Sequence, residues 1–196
     1  GDSLAMVVYG HDTTIPADID TMAAHTAAVR RGMPEKFLVG DMPFLSYRKG
    51  LEVAVSNIGK LMGAGANAVK LEGAAGNIEL IRHVVESGVP VMGHLGLTPQ
   101  SVHQMGGYRV QRDEERLVED ALQVEQAGAF SVVLEGIPTA IATKITQRLK
   151  IPTIGIGAGP ACDGQILVLH DLLGLSQRHV PKFVKQYRQL AVEVRN

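Results

Sequence analysis

The amino-acid sequence predicts an α/β fold: a (β/α)8 barrel, one domain over residues 1–196, whose first strand lies upstream of Gly1. Three observations predict it. Short apolar segments bounded by turn residues alternate with helical stripes, the pattern of a parallel sheet covered by helices. One frame, Gly-Ala-x-x-Val-x-Leu-Glu-Gly, is written twice, over residues 65–73 and 128–136. Each copy is followed by a helical stretch and a second related strand, Val89-Pro90-Val91-Met92-Gly93-His94 answering to Ile151-Pro152-Thr153-Ile154-Gly155-Ile156. Finally, polar groups stand at the carboxyl ends of nearly all strands, as the working face of a barrel requires. A doubly wound open sheet is the alternative.

Taken in order, Gly1-Asp2-Ser3-Leu4 reads as the exit from a strand whose body is missing, with a simple turn or helix cap as the competing reading. Asp18 or Asp20 caps a helix running to Arg31, with Met22, Thr26 and Val29 inward and Gly32 ending it. Residues 37–41 form a buried strand ending in Asp41, and Pro43 stops regular pairing just beyond it. Val53, Ala54, Ile58, Leu61 and Met62 stripe the next helix, which stops at Gly63. After the strand that carries Lys70 and Glu72, Ile78, Ile81, Val84 and Val85 mark a helix closed by Gly88.

The strand over 89–93 delivers His94 to a loop, and Thr98-Pro99 opens a helix. Gly106-Gly107-Tyr108 and the polar run over 109–115 read as a mobile loop. Leu117, Ala121 and Val124 lead to the strand ending at Glu135, and Ile141, Ile145 and Leu149 mark the helix after it. A strand over 153–156 runs into Gly157-Ala158-Gly159, a weak signal for phosphate binding through backbone amides. A strand over 166–169 ends at His170-Asp171, and Phe183, Val184, Tyr187 and Leu190 give the last helical face.

Composition narrows the function classes. The chain is 45% apolar and 20% charged, which suits a soluble globular domain. A formal charge of -1 and the absence of tryptophan give no case for nucleic acid or an anionic membrane. No apolar run reaches the length a bilayer needs. Cys162 is the single cysteine, so no intrachain disulfide forms, and a reducing, cytoplasmic setting is expected. Any targeting segment would lie upstream of Gly1.

The chemistry begins at Lys70 and Glu72. Residues two apart on a strand share a face, so both project together while Val69 and Leu71 face the other way. Charges inside an apolar strand are costly unless paired or bound, and a structural ion pair is the plain alternative. Asp2, Asp41 and Glu72 end three successive strands. Hard oxygen ligands with room for water and substrate describe a Mg²⁺ site better than a Zn²⁺ site. Glu135, the fourth acid, is the candidate general base, and Lys70 would balance an anionic substrate such as a carboxylate. His94 is either a hydrogen-bond donor and proton shuttle or a satisfied structural histidine.

Several runs then resemble the ketopantoate hydroxymethyltransferase family: Gly1-Asp2-Ser3-Leu4, Gly40-Asp41-Met42-Pro43-Phe44 and Val69-Lys70-Leu71-Glu72-Gly73. So do Met92-Gly93-His94-Leu95-Gly96-Leu97-Thr98-Pro99-Gln100-Ser101, Ile154-Gly155-Ile156-Gly157-Ala158-Gly159 with Cys162-Asp163-Gly164-Gln165, and Pro181-Lys182-Phe183-Val184-Lys185. The resemblance covers essentially the whole chain in order. It implies a barrel, typically a decamer, that acts in pantothenate synthesis. There a one-carbon unit passes from 5,10-methylenetetrahydrofolate to 3-methyl-2-oxobutanoate, giving 2-dehydropantoate. It further implies that Asp2 and Asp41 bind Mg²⁺ with Glu72 completing the sphere. Asp2, Ser3, Asp41, Lys70 and His94 hold the oxo acid, and Glu135 accepts the proton.

Two departures stand out: the missing first strand, and a loop after Gln111 shorter than family members usually show, a candidate lid. Two other functions compete. One is a folate-independent, Mg²⁺-dependent lyase or aldolase on a 2-oxo acid. The other is a non-catalytic barrel that binds anions at residues 157–159.

Overall fold

Period-two alternation in the apolar segments becomes an all-parallel, six-stranded sheet in a computed structural model of the chain, which describes residues 1–176 and 180–196. The strands are β1 (Val39–Asp41), β2 (Ala68–Glu72), β3 (Val91–Gly96), β4 (Ser131–Glu135), β5 (Thr153–Ile156) and β6 (Gly164–Gln165), paired in sequence order. The sheet curls into half a barrel. The helices are α1 (Leu4–Val7), α2 (Ile19–Gly32), α3 (Leu51–Gly63), α4 (Ile78–Glu86), α5 (Glu114–Gln126), α6 (Thr139–Arg148), α7 (Leu169–Leu172) and α8 (Leu190–Arg195). Strand-to-helix alternation makes the pairings from β1 to β5 parallel, because a helix returns the chain at each crossover; β5 and β6 also pair parallel, joined by residues 157–163 without a helix.

One hydrophobic core joins the sheet to these helices. Val69 and Leu71 of β2 and Val132 and Leu134 of β4 are fully buried in it, together with Leu61 of α3, Ile81 of α4 and Ile145 of α6. Gly93 shows how closely a helix approaches the sheet: a Cβ there would meet Val124 Cγ1 of α5 at 2.6 Å. Asp18 is the true cap of α2, its Oδ1 accepting from the Thr21 N–H at 2.7 Å. Asp113 caps α5 in the same way through Arg116 N–H at 3.1 Å.

Several expectations need correction. Seven strands are expected here, counting the stub ending at Asp2; the described residues form six, and Asp2 does not end a strand. Gly1 to Ser3 form a turn feeding α1, with the Ala5 N–H donating to Asp2 O at 3.0 Å. His94 lies within β3 rather than in a loop after it. Thr98-Pro99 starts only a three-residue 3₁₀ turn, Pro99–Ser101. The strand expected over 166–169 falls earlier, as β6, and α7 begins at Leu169. The last helix is α8, beyond Phe183 and Tyr187, which are half exposed. Val29 and Val53, expected to face inward, are exposed as well.

Gly96 closes β3 at φ +93°, and a Cβ there would stand 2.2 Å from the Glu135 carbonyl oxygen and 2.6 Å from Ile137 Cγ2. Gly96→Ala combines a left-handed backbone with a backbone clash, so it should destabilise the fold by about 3 kcal/mol in urea denaturation. A loss under about 0.5 kcal/mol would place it among neutral surface changes and contradict this packing.

Candidate active site

The carboxyl ends of the strands gather the predicted residues. β1 contributes Asp41, β2 Lys70 and Glu72, β3 His94 and β4 Glu135, while the turn before α1 brings Asp2. Register explains the grouping: Asp41 pairs with Lys70, Glu72 with His94, and Glu135 stands opposite Gly96, two residues past His94. Lys70 Nζ sits 2.9 Å from Asp41 Oδ1 and 3.4 Å from Glu72 Oε1. The Asp2 N–H donates to Asp41 Oδ2 at 2.9 Å. His94 bridges the two glutamates, Nδ1 at 3.3 Å from Glu72 Oε1 and Nε2 at 3.2 Å from Glu135 Oε2. Ser3 adjoins Asp2, but its side chain makes no capping hydrogen bond to α1.

The charges set one another's protonation. Burial opposes the Lys70 ammonium, yet Asp41, Glu72 and Asp2 outweigh it and hold the lysine well above its ordinary range. Burial pushes Glu72 up, but the Lys70 charge and hydrogen bonds from His94 and the Gln100 N–H bring it down to about 2. Burial and the Asp41 charge push Asp2 up to about 7. Burial and Lys70 oppose protonation of His94, but its bonds to Glu135 and Glu72 prevail and raise it to about 9. His94 Nδ1 also lies 3.2 Å from Lys70 Nζ, which a neutral ring could accept. A carboxylate stands near each ring nitrogen, but the aligned hydrogen bond at the ring is the one with Lys70, and Nε2 is buried without one.

The donor chemistry suits a hard divalent cation. Four carboxyl groups, Asp2 with its raised value among them, share the strand ends with Lys70 and His94. Asp41 Oδ1 is buried without a well-aligned hydrogen bond, despite Lys70 Nζ beside it. Among the described residues, no group of three or more His, Cys, Asp or Glu side chains is placed to hold a metal by itself. Both Glu72 oxygens already accept from protein donors: Lys70 at Oε1 and the Gln100 N–H at Oε2. The expected three-acid cage of Asp2, Asp41 and Glu72 is therefore not preformed. Asp2 and Asp41 remain side by side, and Mg²⁺ commonly takes only one or two carboxylates, filling its sphere with water and substrate oxygens.

Three residues were missed as site residues. Gln100 lies in the 3₁₀ turn and contacts Asp2, Glu72, Met42 and Tyr47. Tyr47, from the segment after β1, is buried against the Glu72 backbone. Tyr108 reaches across to Met6 of α1, Oη 3.5 Å from Sδ. Its loop is tied at both ends to the tip of β4, through Leu97 N–H to Glu135 O at 2.8 Å and Gln111 N–H to Gly136 O at 3.0 Å. The sequence signals for Gln100 are its place directly after the Thr98-Pro99 start and inside the run over 92–101 that carries the family resemblance. A cavity of about 550 Å³ adjoins Tyr47 and Gln100 and reaches Arg48, Gln104 and Arg116. The glycines over 157–159 serve packing: a Cβ on Gly157 would meet the Phe183 ring at 2.7 Å, and one on Gly159 would meet Thr139 Oγ1 at 2.3 Å.

A parallel, helix-covered sheet with charged groups at its strand ends defines an α/β enzyme of the barrel type. The chain belongs to the ketopantoate hydroxymethyltransferase family, whose model matches residues 1–196. It is 62% identical over 191 residues to 3-methyl-2-oxobutanoate hydroxymethyltransferase of Bdellovibrio bacteriovorus, covering 95% of this chain and 73% of that protein. The Desulforapulum autotrophicum protein of the same name is 61% identical over 194 residues, with 98% and 74% covered. Among solved structures, phosphonopyruvate hydrolase superposes with a TM-score of 0.61 at 14% identity, over 100% of this chain and 68% of that one. 2,3-Dimethylmalate lyase, of the PEP mutase/isocitrate lyase superfamily, gives 0.60 at 18% identity, over 82% and 60%. At these identities the structural likeness concerns the fold alone.

The raised His94 value carries a pH signature. A group whose folded value exceeds its ordinary 6.5 contributes stability below 6.5 and loses it as pH rises through about 9. In the metal-free protein, the His94 ring should titrate near pH 9 by NMR, and Glu72→Gln should lower the midpoint by about one unit. A wild-type midpoint below 6.5 would instead mean a neutral ring accepting from Lys70.

Proposed function

We propose that this chain carries out the reaction for which its family is named, transferring a hydroxymethyl group to 3-methyl-2-oxobutanoate to give 2-dehydropantoate in pantothenate synthesis. 5,10-Methylenetetrahydrofolate donates the one-carbon unit. The observation that carries this reading is the ring of charge at the strand ends, with Glu135 standing apart from the Lys70 cluster and joined to it through His94. A folate-independent lyase would use similar residues, and family membership favours the transferase.

In the proposed mechanism Asp2 and Asp41 would hold Mg²⁺, with Glu72 contributing negative charge beside Lys70. When bound, Mg²⁺ supplies Lewis-acid polarisation of the carboxylate and keto oxygens of the oxo acid. Lys70 provides a fixed positive charge for the substrate carboxylate, and Ser3 offers a hydroxyl beside Asp2. Glu135 takes the C3 proton, and C3 forms the new bond to the methylene carbon of the folate. Both carbon–nitrogen bonds of the folate bridge break, water supplies the hydroxyl, and the C3 proton and one water proton end on the two folate nitrogens. His94 keeps the Glu135 carboxylate oriented through its Nε2 contact.

Under this reading residues 1–196 are a single catalytic unit, the curled sheet is the wall of a (β/α)8 barrel, and the assembly is a decamer. A cytoplasmic setting follows from the same family reading. Among the described residues no helix is long and apolar enough to cross a membrane.

Proton exchange at C3 of 3-methyl-2-oxobutanoate in deuterated water, followed by NMR without folate, tests the first half. Exchange should require Mg²⁺ and fall by about 100-fold or more in Glu135→Gln. Wild-type exchange that survives the Glu135 change within a few-fold would remove Glu135 from the role. Adding 5,10-methylenetetrahydrofolate should then yield 2-dehydropantoate.

A further inference from the structure

Four separate groups meet on one buried residue, three on its side chain and one on its backbone. Gln100 Nε2 donates to Asp2 Oδ2 at 2.9 Å and to Met42 O at 2.8 Å. Its Oε1 accepts from the Tyr47 hydroxyl at 2.8 Å, and its backbone N–H donates to Glu72 Oε2 at 3.1 Å. The amide can sit only one way round, because a carboxylate and a carbonyl can accept but not donate. That leaves Oε1 for Tyr47, whose phenol stays protonated: burial and then the Glu72 charge push it well above its ordinary range. Tyr47 is itself moored to the end of β2 by long contacts of 3.4 Å to the Glu72 backbone.

We propose that Gln100, held by Tyr47, is a positioning residue that sets the orientation of Asp2 and Glu72 for the cation and oxo acid. The inference rests on the functional reading above. Its physical content lies in which oxygens are occupied. Gln100 engages Oδ2 of Asp2, and the Asp2 N–H engages Oδ2 of Asp41. Among the described hydrogen bonds none reaches Oδ1 of Asp2, whereas Oδ1 of Asp41 has the Lys70 ammonium beside it at 2.9 Å, so Asp2 is the acid that Gln100 leaves with one oxygen to offer. A glutamate at this position would turn a carboxylate against Asp2, and an asparagine is one methylene too short to reach both Asp2 and Tyr47. Glutamine alone among close relatives in shape has a donor on one side and an acceptor on the other.

Three variants test this: Gln100→Met, Gln100→Glu and Tyr47→Phe, in the full chain. Each is measured for Mn²⁺ affinity with 3-methyl-2-oxobutanoate present (by electron paramagnetic resonance), for C3 exchange, and for Tm. Gln100→Met should weaken Mn²⁺ by about tenfold or more, and Gln100→Glu should lower exchange further through misplaced charge. Tyr47→Phe should weaken Mn²⁺ by about threefold, as the loss of one net hydrogen bond requires. Because Tyr47 acts through Gln100, the Tyr47→Phe, Gln100→Met double variant should be no weaker than Gln100→Met alone.

Folded variants that lower Tm while Mn²⁺ affinity stays within about twofold of wild type would overturn the inference, since that is the behaviour of mere packing. If Gln100→Met fails to fold, Tyr47→Phe, which keeps its ring, decides by the same criterion. A wild type that binds Mn²⁺ but exchanges no C3 proton would overturn the functional reading, with the Mn²⁺ comparison still deciding the positioning role.

Discussion

The ammonium of Lys70 is the interaction on which the site depends. It stands 2.9 Å from Asp41 and 3.4 Å from Glu72, with only 15% of its side chain exposed. A lone buried charge would shed its proton; this one is outnumbered by acids and retains it. Replacing a buried pair by apolar residues is often neutral for stability, so an ion cluster of this kind has no need to exist for the fold alone. Its use is electrostatic. It keeps Glu72 ionised against burial and ties β1 to β2 at the level where Asp2 enters.

Strands and loops divide the work between them. β1 to β4 carry the charged side chains, and their parallel register decides which of them are neighbours. The connecting segments aim those side chains. Gln100 and Tyr47 reach Asp2 and Glu72 from two different loops, and the loop bearing Tyr108 is fastened at both ends to the tip of β4. Rigid elements thus supply charge at fixed spacing, and loops anchored to them set orientation to within a hydrogen bond.

Legibility followed how local each decision is. The strands carrying Glu72 and Glu135 were readable because the repeated frame places alternating apolar residues on one face, and Val69, Leu71, Val132 and Leu134 are fully buried as it requires. Asp18 was readable because a cap acts within three residues of itself. Asp41, Lys70, His94 and Glu135 come together because strand ends in a parallel sheet share one edge, and Asp2 joins them from the turn before α1. What failed depends on distant partners. Asp2 sits in a turn because its N–H meets Asp41, 39 residues away. Gln100 reaches Asp2 across 98 residues. The glycines over 157–159, only a weak signal for phosphate, lie against Phe183 and Thr139, as close packing requires.

The differences between the two copies of the repeat are as informative as their likeness. In the first copy, Lys70 and His94 surround Glu72, and the Gln100 N–H takes its remaining oxygen. In the second, Val133 stands where Lys70 would be and Ile156 where His94 would be. Among the described residues Glu135 therefore has no ammonium beside it; its side chain is more open to solvent than that of Glu72 (18% against 2%), and its ion-pair contact is with the His94 ring. A carboxylate pinned by a lysine and a backbone donor serves as a fixed charge and is a poor proton acceptor. One that lacks those partners has oxygens to offer a substrate. The two copies thus keep the glutamate and differ in its neighbours: Lys70 stands beside Glu72, and Val133 occupies the matching place in the strand of Glu135.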